Sequence, residues 1–189
     1  MRDYREYLKE ILVSEAELQE RIAELGAQIS QDYKGKELLL VCILRGGVMF
    51  LTDLMRNIDV RHAIEFMAVS SYGVGKRQTS GQARITLDLN TDILDKHVLI
   101  VEDIVDSGHT LAAVVGMLSS RNPASLHICT LLDKYSRREV EVPIRYTGFK
   151  IEDKFVFGYG LDLDEYYRNL PFIGVVDLAK FESPEEKSG

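Results

Sequence analysis

The stretch VLIVEDIVDSGHTL (98–111) combines a hydrophobic run with carboxyl and hydroxyl groups that could perform chemistry. Val98–Val101 predicts a buried strand, and Glu102 and Asp103 follow it directly. The sequence DSGHT (106–110) then leads into a predicted helix. In open α/β sheets, ligands bind beyond the carboxyl ends of the strands. The stretch therefore predicts a ligand site at the end of a central strand.

The turn between this strand and helix has the composition of a phosphate-binding turn. Gly108 permits a positive φ and leaves room for a ligand close to the backbone. The first N–H groups of the helix are unpaired, and Ser107 and Thr110 add hydroxyl groups. We therefore predict that the turn binds an anion, most naturally a phosphate monoester.

The paired acids Glu102 and Asp103 require a different ligand group, because carboxylates repel a phosphate. Sugar hydroxyls and a metal ion are the candidates, so a ribose 5-phosphate would satisfy both the acids and the turn. Successive side chains of a regular strand point to opposite faces. We therefore expect the strand to lose its regular geometry at Glu102, so that both acids meet one ligand and Ile104 and Val105 return to the core.

Short apolar runs along the chain predict the sheet that positions this turn. Runs of this kind, alternating with helix-like stretches, indicate a parallel sheet buried on both faces. The runs are ELLLVCIL (37–44), HVLIV (97–101), SLHICTLL (125–132) and FIGVVDL (172–178), with helix-like stretches at 47–58 and 110–120. We predict an α/β fold with a central, mostly parallel sheet flanked by helices.

Two further segments complete the predicted architecture. Ser14 and Glu17 have the spacing of a capping box, and apolar residues at helical spacing follow up to Ile29, so this segment predicts an amphipathic helix. The segments 60–72 and 83–89 flank a polar stretch and predict a hairpin-like excursion with a long loop.

Composition limits the possible functions. The 189 residues are 46% hydrophobic, with a formal net charge of -7, which fits one α/β domain and disfavours binding to nucleic acid through phosphates. Cys42 and Cys129 lie in apolar runs without metal-ligand spacing, which indicates reduced core cysteines. The charged N-terminus does not resemble a signal peptide, and no apolar run approaches the ~20 residues of a membrane span. We expect a cytoplasmic protein.

The stretch VLIVEDIVDSGHTL resembles the phosphoribosyl-diphosphate (PRPP) signature of type I phosphoribosyltransferases, most closely that of the 6-oxopurine branch, the hypoxanthine-guanine phosphoribosyltransferases. The similarity extends from about Leu38 to Leu178. It implies transfer of the phosphoribosyl group from PRPP to a 6-oxopurine, Mg²⁺ as cofactor, and a homodimer or homotetramer. It also implies a single domain with a core at about 36–135, a small hood from the N-terminal region and about 136–178, a mobile lid loop, and a tail at 182–189.

The resemblance assigns roles to the signature itself. Asp106 corresponds to the proposed general base, and His109 occupies a variable position to which we assign no dedicated chemistry. The residues implied to bind the ribose phosphate are Glu102, Asp103, Asp106, Ser107, Gly108, His109 and Thr110.

Other segments resemble the parts of the family that bind pyrophosphate. LRGG (44–47) is similar to the pyrophosphate loop, in which the family has a cis peptide, here Leu44–Arg45. Many relatives have Lys at the position of Arg45. A Ser-Tyr pair in the family's lid matches Ser71-Tyr72. The residues implied to bind pyrophosphate are Arg45, Gly46, Gly47, Ser71, Tyr72 and Arg168.

The second half of the chain resembles the family's base-binding segment. Lys134 would donate to the 6-oxo group, Phe155 would stack on the purine, and the Val156 backbone would pair with the purine edge. Asp162, next to the base, would ligate Mg²⁺ near the pyrophosphate. The implied metal ligands are Glu102, Asp103 and Asp162.

Alternatives to this interpretation remain open at the level of the sequence. GVGK (73–76) suggests a P-loop, but Ser70 and Arg77 replace the required Gly and Ser or Thr, so that interpretation fails. A phosphoribosyltransferase for orotate, uracil, adenine or xanthine is one alternative, although Lys134 favours a 6-oxopurine. A PRPP-sensing regulator that binds RNA or DNA is another, although the chain has no basic face.

Overall fold

The computed structural model describes residues 3–71 and 83–181, and the strands of this part form two sheets. The strands are β1 (Leu8–Val13), β2 (Leu38–Leu44), β3 (His62–Ser71), β4 (Ala83–Leu87), β5 (His97–Val105), β6 (Ser125–Asp133), β7 (Ile144–Lys150), β8 (Val156–Phe157) and β9 (Ile173–Val176). The α-helices are α1 (Glu15–Asp32), α2 (Val48–Arg56), α3 (His109–Ser119) and α4 (Leu178–Phe181).

The central sheet has six strands in the order β4-β3-β2-β5-β6-β7. Its pairs are parallel except for β3 and β4, so the predicted mostly parallel α/β sheet is confirmed. The segments 60–72 and 83–89 contain the antiparallel pair β3–β4, as predicted. The prediction that these segments form an excursion is wrong, however, because β3 also pairs with β2 and belongs to the central sheet.

Helices cover both faces of the central sheet, which explains the long apolar runs of its central strands β2, β5 and β6. Helices α1 and α2 pack on one face and α3 packs on the other. The predicted capping box of α1 is present, because the Ser14 N–H donates to Glu17 Oε2 at 2.8 Å and the Glu17 N–H donates to Ser14 Oγ at 3.4 Å. The apolar stripe of α1 is fully buried at Leu18, Ile22, Leu25 and Ile29.

The second sheet has three strands in the order β1-β9-β8, and both pairs are antiparallel. The assignment of FIGVVDL (172–178) to the parallel sheet is therefore wrong. Strand β9 is apolar because Ile173 and Val175 pack toward the main core, while Val176 packs toward a smaller aromatic cluster. A strand buried on both faces has the same apolar sequence whatever the direction of its partners. Strands β1 and β7 were not predicted, because their residues are partly exposed and form no continuous apolar run.

The predicted loss of regular geometry at Glu102 is seen in the side chains of β5, although the strand continues through the two acids. Its pairing with β6 has no register shift up to Val105. The faces of the sheet to which successive side chains point nevertheless change. Ile100 lies in the core under α3, whereas Ile104 packs toward α1 and α2 and Val105 lies in the core under α3. The alternation of faces therefore shifts between Ile100 and Ile104, where the acids lie.

Within residues 3–71 and 83–181, no helix is long and apolar enough to cross a membrane. Both cysteines are buried and free, as predicted. Burial raises the pKa of the Cys42 thiol to about 12, so this group is not a reactive thiolate.

Candidate active site

The phosphate turn (106–108) joins β5 to α3 and is shaped by a glycine. Gly108 has φ +91, which places it in the left-handed region. A Cβ atom at this position would lie 2.4 Å from the Val140 carbonyl oxygen, so no larger residue fits. A cavity opens at this turn, as expected for a site at the carboxyl end of a central strand. It is lined by Glu102, Ile104, Val105, Asp106, Ser107, Gly108, Thr110 and Leu111.

The segment after β6 holds the phosphate turn from one side. The Ser107 carbonyl accepts hydrogen bonds from the N–H groups of Glu139 and Val140, both at 3.0 Å. The Asp106 carbonyl accepts from Arg138 Nη1 at 3.0 Å. Arg138 also forms a nearly buried ion pair with Asp133. These contacts were not predicted from the sequence, in which their only signal is a pair of arginines soon after a buried strand.

Glu102 and Asp103 lie between the phosphate turn and the end of β2. Asp103 packs on Gly46, where a Cβ would lie 1.6 Å from Asp103 Oδ2. Glu102 Oε2 is buried and has no hydrogen-bond partner in the described part of the chain. Burial, together with the neighbouring Asp103 carboxylate, raises the pKa of Glu102 well above its usual range. Burial also raises the pKa of Asp103. A cation or hydroxyl groups would satisfy these oxygens.

The turn Arg45-Gly46-Gly47, here the arginine turn, follows β2 and contains the expected cis peptide Leu44–Arg45. Gly160 has φ +99, and a Cβ on it would lie 2.1 Å from the Gly46 carbonyl oxygen. A Cβ on Gly47 would lie 3.0 Å from Cys42 Sγ and 3.1 Å from main-chain oxygens. Main-chain packing therefore determines the position of this turn.

The acidic segment 162–168 brings charged groups to the arginine turn. Arg45 forms a 2.7 Å ion pair with Glu165, and Arg168 forms a 2.8 Å ion pair with Asp162. Arg168 also donates to the Gly160 carbonyl at 2.8 Å, and its charge acts on Asp103. The predicted pyrophosphate ligands Arg45 and Arg168 thus lie on the same side of the site. The sequence analysis did not identify Glu165.

Lys134 lies on the other side of the phosphate turn and is 7% exposed. Its Nζ is 3.3 Å from Asp153 Oδ1 and 3.8 Å from Asp106 Oδ2. Phe155 is 46% exposed, which leaves its ring available for contact with a ligand, and Val156 is buried in β8. The structure therefore brings the predicted base ligand Lys134 next to Asp106.

Several predicted site residues are not joined to this group by the described contacts. His109, predicted among the ribose-phosphate ligands, pairs with Glu139 at 2.8 Å, and both side chains are exposed. Ser71 ends β3, and Tyr72 with the rest of the predicted lid lies outside the described residues. In residues 3–71 and 83–181, no three His, Cys, Asp or Glu side chains are grouped as a metal site, so Asp162 does not join the paired acids in one cluster.

Comparisons with known proteins agree with this geometry. A family model for the phosphoribosyl transferase domain matches residues 10–165. The hypoxanthine phosphoribosyltransferase of Escherichia coli K12 is 54% identical over 171 residues, which cover 89% of this chain and 96% of that protein. The hypoxanthine-guanine phosphoribosyltransferase of Staphylococcus aureus Mu50 is 49% identical over 169 residues, which cover 89% and 94%.

Solved structures give the same result. The crystal structure of a hypoxanthine phosphoribosyltransferase from Staphylococcus aureus superposes with a TM-score of 0.91 at 46% identity, covering 95% of this chain and 97% of that one. The chain therefore belongs to the type I phosphoribosyltransferases and, within them, to the hypoxanthine-guanine (6-oxopurine) branch.

Proposed function

We propose that this chain transfers the 5-phosphoribosyl group from PRPP to hypoxanthine and guanine, giving IMP or GMP and pyrophosphate in purine salvage. One observation carries the proposal. Asp106 lies in the phosphate turn, and its carboxylate is also 3.8 Å from the buried Lys134 ammonium. Asp106 thus belongs to the phosphate-binding turn and also lies beside the donor for a 6-oxo group. A purine held by Lys134 would meet the ribose at this carboxylate.

The phosphate turn would bind the 5-phosphate of PRPP. Its N–H groups point out of the start of α3, and the hydroxyl groups of Ser107 and Thr110 line the same cavity. Glu102 and Asp103 would accept hydrogen bonds from the ribose diol, directly or through Mg²⁺. Their raised pKa values and the unpaired Glu102 oxygen fit a site that is completed by such a ligand.

The arginine turn would bind the leaving pyrophosphate. Gly46 and Gly47 bring main-chain groups close to the site, and Arg45 and Arg168 add positive charge. Mg²⁺ is typically held by one or two carboxylates together with substrate phosphates, so separate acids suffice. Glu102 with Asp103, and Asp162 near Arg168, would hold Mg²⁺, which when bound would neutralise charge on the departing pyrophosphate.

The base would lie between Lys134 and Phe155. The Lys134 ammonium would donate to the exocyclic oxygen at C6, and the half-exposed Phe155 ring would stack on the purine. The Val156 backbone would pair with the purine edge. Asp106 would accept the proton that the purine loses as its N9 attacks C1 of the ribose. General-base assistance of this kind contributes about 10²–10⁴-fold in rate.

The overall organisation is also part of the proposal. We assign the three-stranded sheet to the hood and the six-stranded sheet to the core. We expect a cytoplasmic homodimer or homotetramer, and exposed apolar side chains such as Val48, Met49 and Ile64 offer surfaces for assembly. Light scattering at several protein concentrations would test this expectation, and a monomer at all concentrations would contradict it.

Pyrophosphate release measures the proposed reaction directly. Purified protein is incubated with PRPP, Mg²⁺ and one base at a time: hypoxanthine, guanine, xanthine, adenine, uracil or orotate. We expect release only with hypoxanthine or guanine, and formation of the matching nucleoside monophosphate. Release with adenine or a pyrimidine would assign the site to another base, and no release with any base would leave a PRPP-sensing role as the better explanation.

Replacing Lys134 with Met separates recognition of the base from recognition of PRPP. The methionine keeps the unbranched shape and most of the length of the side chain and removes the charged donor, so the KM for both purines should rise by about tenfold or more. The KM for PRPP should change by less than about twofold. A larger loss for PRPP would show that Lys134 contacts a phosphate instead.

A further inference from the structure

We propose that Arg137 is a positioning residue for the purine end of the site. It orients both the Asp106 carboxylate and, through Asp153, the Lys134 ammonium. The inference deepens the function proposed above and rests on it. Neither Arg137 nor Asp153 is among the residues that the sequence analysis assigned to the site.

Four side chains form a closed ring of alternating charge. Arg137 Nε is 3.2 Å from Asp106 Oδ1, and Arg137 Nη1 is 3.6 Å from Asp153 Oδ2. Lys134 Nζ is 3.8 Å from Asp106 Oδ2 and 3.3 Å from Asp153 Oδ1. Each carboxylate therefore uses one oxygen for the guanidinium and the other for the ammonium. Two cations on opposite oxygens determine the plane of each carboxylate.

The exposure of the ring argues against a role in stability. Arg137, Asp153 and Asp106 side chains are 52%, 51% and 46% exposed, and only Lys134, at 9%, is buried. Exposed ion pairs contribute little to stability, because water screens them and ordering the side chains costs entropy. Arg137 links Asp106, the proposed general base, to Lys134, which would recognise the purine. Its effect is therefore on the orientation of these two groups.

The backbone of Arg137 is held in place on both sides. Its N–H donates to the Lys134 carbonyl at 2.9 Å within the short 3-10 helix Tyr135–Arg137. The next residue, Arg138, is anchored by Asp133 and by the Asp106 carbonyl. The guanidinium thus starts from a fixed point. Its planar group presents Nε and Nη1 to two different carboxylates in a fixed relative orientation, which the single nitrogen of an ammonium group does not provide.

A specific kinetic pattern follows from this geometry. Without Arg137, Asp106 keeps only the longer contact to Lys134, and Asp153 loses its second cation. We expect Arg137→Gln to lower kcat by about tenfold and to raise the KM for hypoxanthine by about fivefold, within the range for loss of an oriented charge-assisted contact. The KM for PRPP should stay within about twofold, because the phosphate turn is held by other contacts.

The experiment compares Arg137→Gln, Arg137→Lys, Asp153→Asn and the double variant Arg137→Gln/Asp153→Asn with the wild-type protein. Arg121→Gln is the matched control, since Arg121 forms a partly exposed ion pair with Asp88 near the far end of α3. For each protein, steady-state kinetics give kcat and both KM values, calorimetry gives the Kd for IMP, and thermal unfolding gives Tm.

The outcomes distinguish a positioning role from a structural one. We expect weaker IMP binding and a lower kcat for Arg137→Gln, partial recovery for Arg137→Lys, wild-type behaviour for Arg121→Gln, and Tm values within about 2 °C. Losses for the double variant should be smaller than the product of the single losses, because both residues belong to one ring. Wild-type kinetics and IMP binding for Arg137→Gln, or independent multiplying losses, would overturn the inference. Absence of turnover by the wild-type protein would instead contradict the proposed function.

Discussion

The phosphate turn and the arginine turn follow the adjacent central strands β5 and β2, yet they are held in place by different means. The arginine turn is positioned by main-chain packing, with Gly160 against the Gly46 carbonyl and Gly47 against the main chain of β5. The phosphate turn also has one close glycine contact, from Gly108 to the Val140 carbonyl, but it is held in addition by main-chain hydrogen bonds from the segment after β6 and by Arg138, which donates to the Asp106 carbonyl.

The difference shows how a single site can combine steric and electrostatic positioning. Close packing of glycines tolerates no added side-chain atom, but it depends little on pH or salt. Charged contacts tolerate changes of shape, but they depend on partners from distant parts of the chain. The paired acids Glu102 and Asp103 lie where the two turns meet, and Glu102 Oε2 has no hydrogen-bond partner in the described part of the chain. Four variants test this comparison.

The largest effect should come from the chemical group on the phosphate turn. Asp106→Asn keeps the size of the side chain and an acceptor oxygen for Arg137, but it removes the proposed general base. We expect kcat to fall by about 10²-fold or more, with the KM for PRPP nearly unchanged. Steady-state kinetics with hypoxanthine measure both values. A kcat close to wild type would remove Asp106 from the catalytic role.

Main-chain packing at the arginine turn is tested by Gly160→Ala. The residue has φ +99, and its Cβ would lie 2.1 Å from the Gly46 carbonyl oxygen. Left-handed strain and overpacking together should cost about 3 kcal/mol of unfolding free energy, measured by urea denaturation. Gly116→Ala is the control, because its Cβ would meet nothing within 4 Å and it lies inside α3, where alanine should stabilise by roughly 0.5–1 kcal/mol. Equal stability of the two variants would show that the contact is not restrictive.

The charged support of the phosphate turn is tested by Arg138→Met. The change leaves the Asp133 carboxylate, which is 11% exposed, without its cation and removes a donor to the Asp106 carbonyl. We expect a loss of about 2–3 kcal/mol of unfolding free energy. Adding Asp133→Leu should restore part of this loss, while Arg121→Met, which removes a more exposed arginine, should cost less than about 1 kcal/mol. If the double variant is no more stable than Arg138→Met, an unpaired Asp133 is not the cause.

The smallest effect concerns the paired acids. Burial raises the pKa of both in the folded protein, so the folded state binds more protons than the unfolded state above the unfolded value near ~4. Stability from these groups is therefore present at low pH and is lost as pH rises toward the folded pKa values. The variant Glu102→Gln/Asp103→Asn should be more stable than wild type at neutral pH without Mg²⁺, by about 1 kcal/mol.

This advantage should disappear near pH 4, where both proteins carry neutral groups at these positions. Urea denaturation at pH 4 and pH 7 measures the difference, and Glu20→Gln on the exposed side of α1 is the control. The same double variant should bind PRPP more weakly in the presence of Mg²⁺. A variant that is less stable than wild type at pH 7 would show that the acids support the fold.

Features formed by neighbouring residues could be predicted from the sequence. The buried strand, the acids and the glycine turn of residues 98–110 interact over a few positions, so strand and turn chemistry is sufficient to identify them. The capping box of α1 and the apolar run of β2 are local in the same sense. The family resemblance identified site residues that could not be recognised by residue type alone, such as Lys134 and Asp162. The structure places Lys134 near Asp106 and Asp162 near Arg168.

Features that join distant parts of the chain required the tertiary structure. An apolar run does not indicate whether its neighbouring strands are parallel or antiparallel, so β9 was assigned to the wrong sheet. The sequence predicted a loss of regular strand geometry at Glu102, but only the structure shows that β5 keeps its pairing with β6 while its side chains change faces. Arg137 and Arg138 contact Asp106 across 31 and 32 positions, a relation that composition and spacing do not contain. The sequence by itself determined which groups stand at the end of β5, since local geometry specifies them. The tertiary structure alone decided which charges face them, since long-range packing brings those partners together.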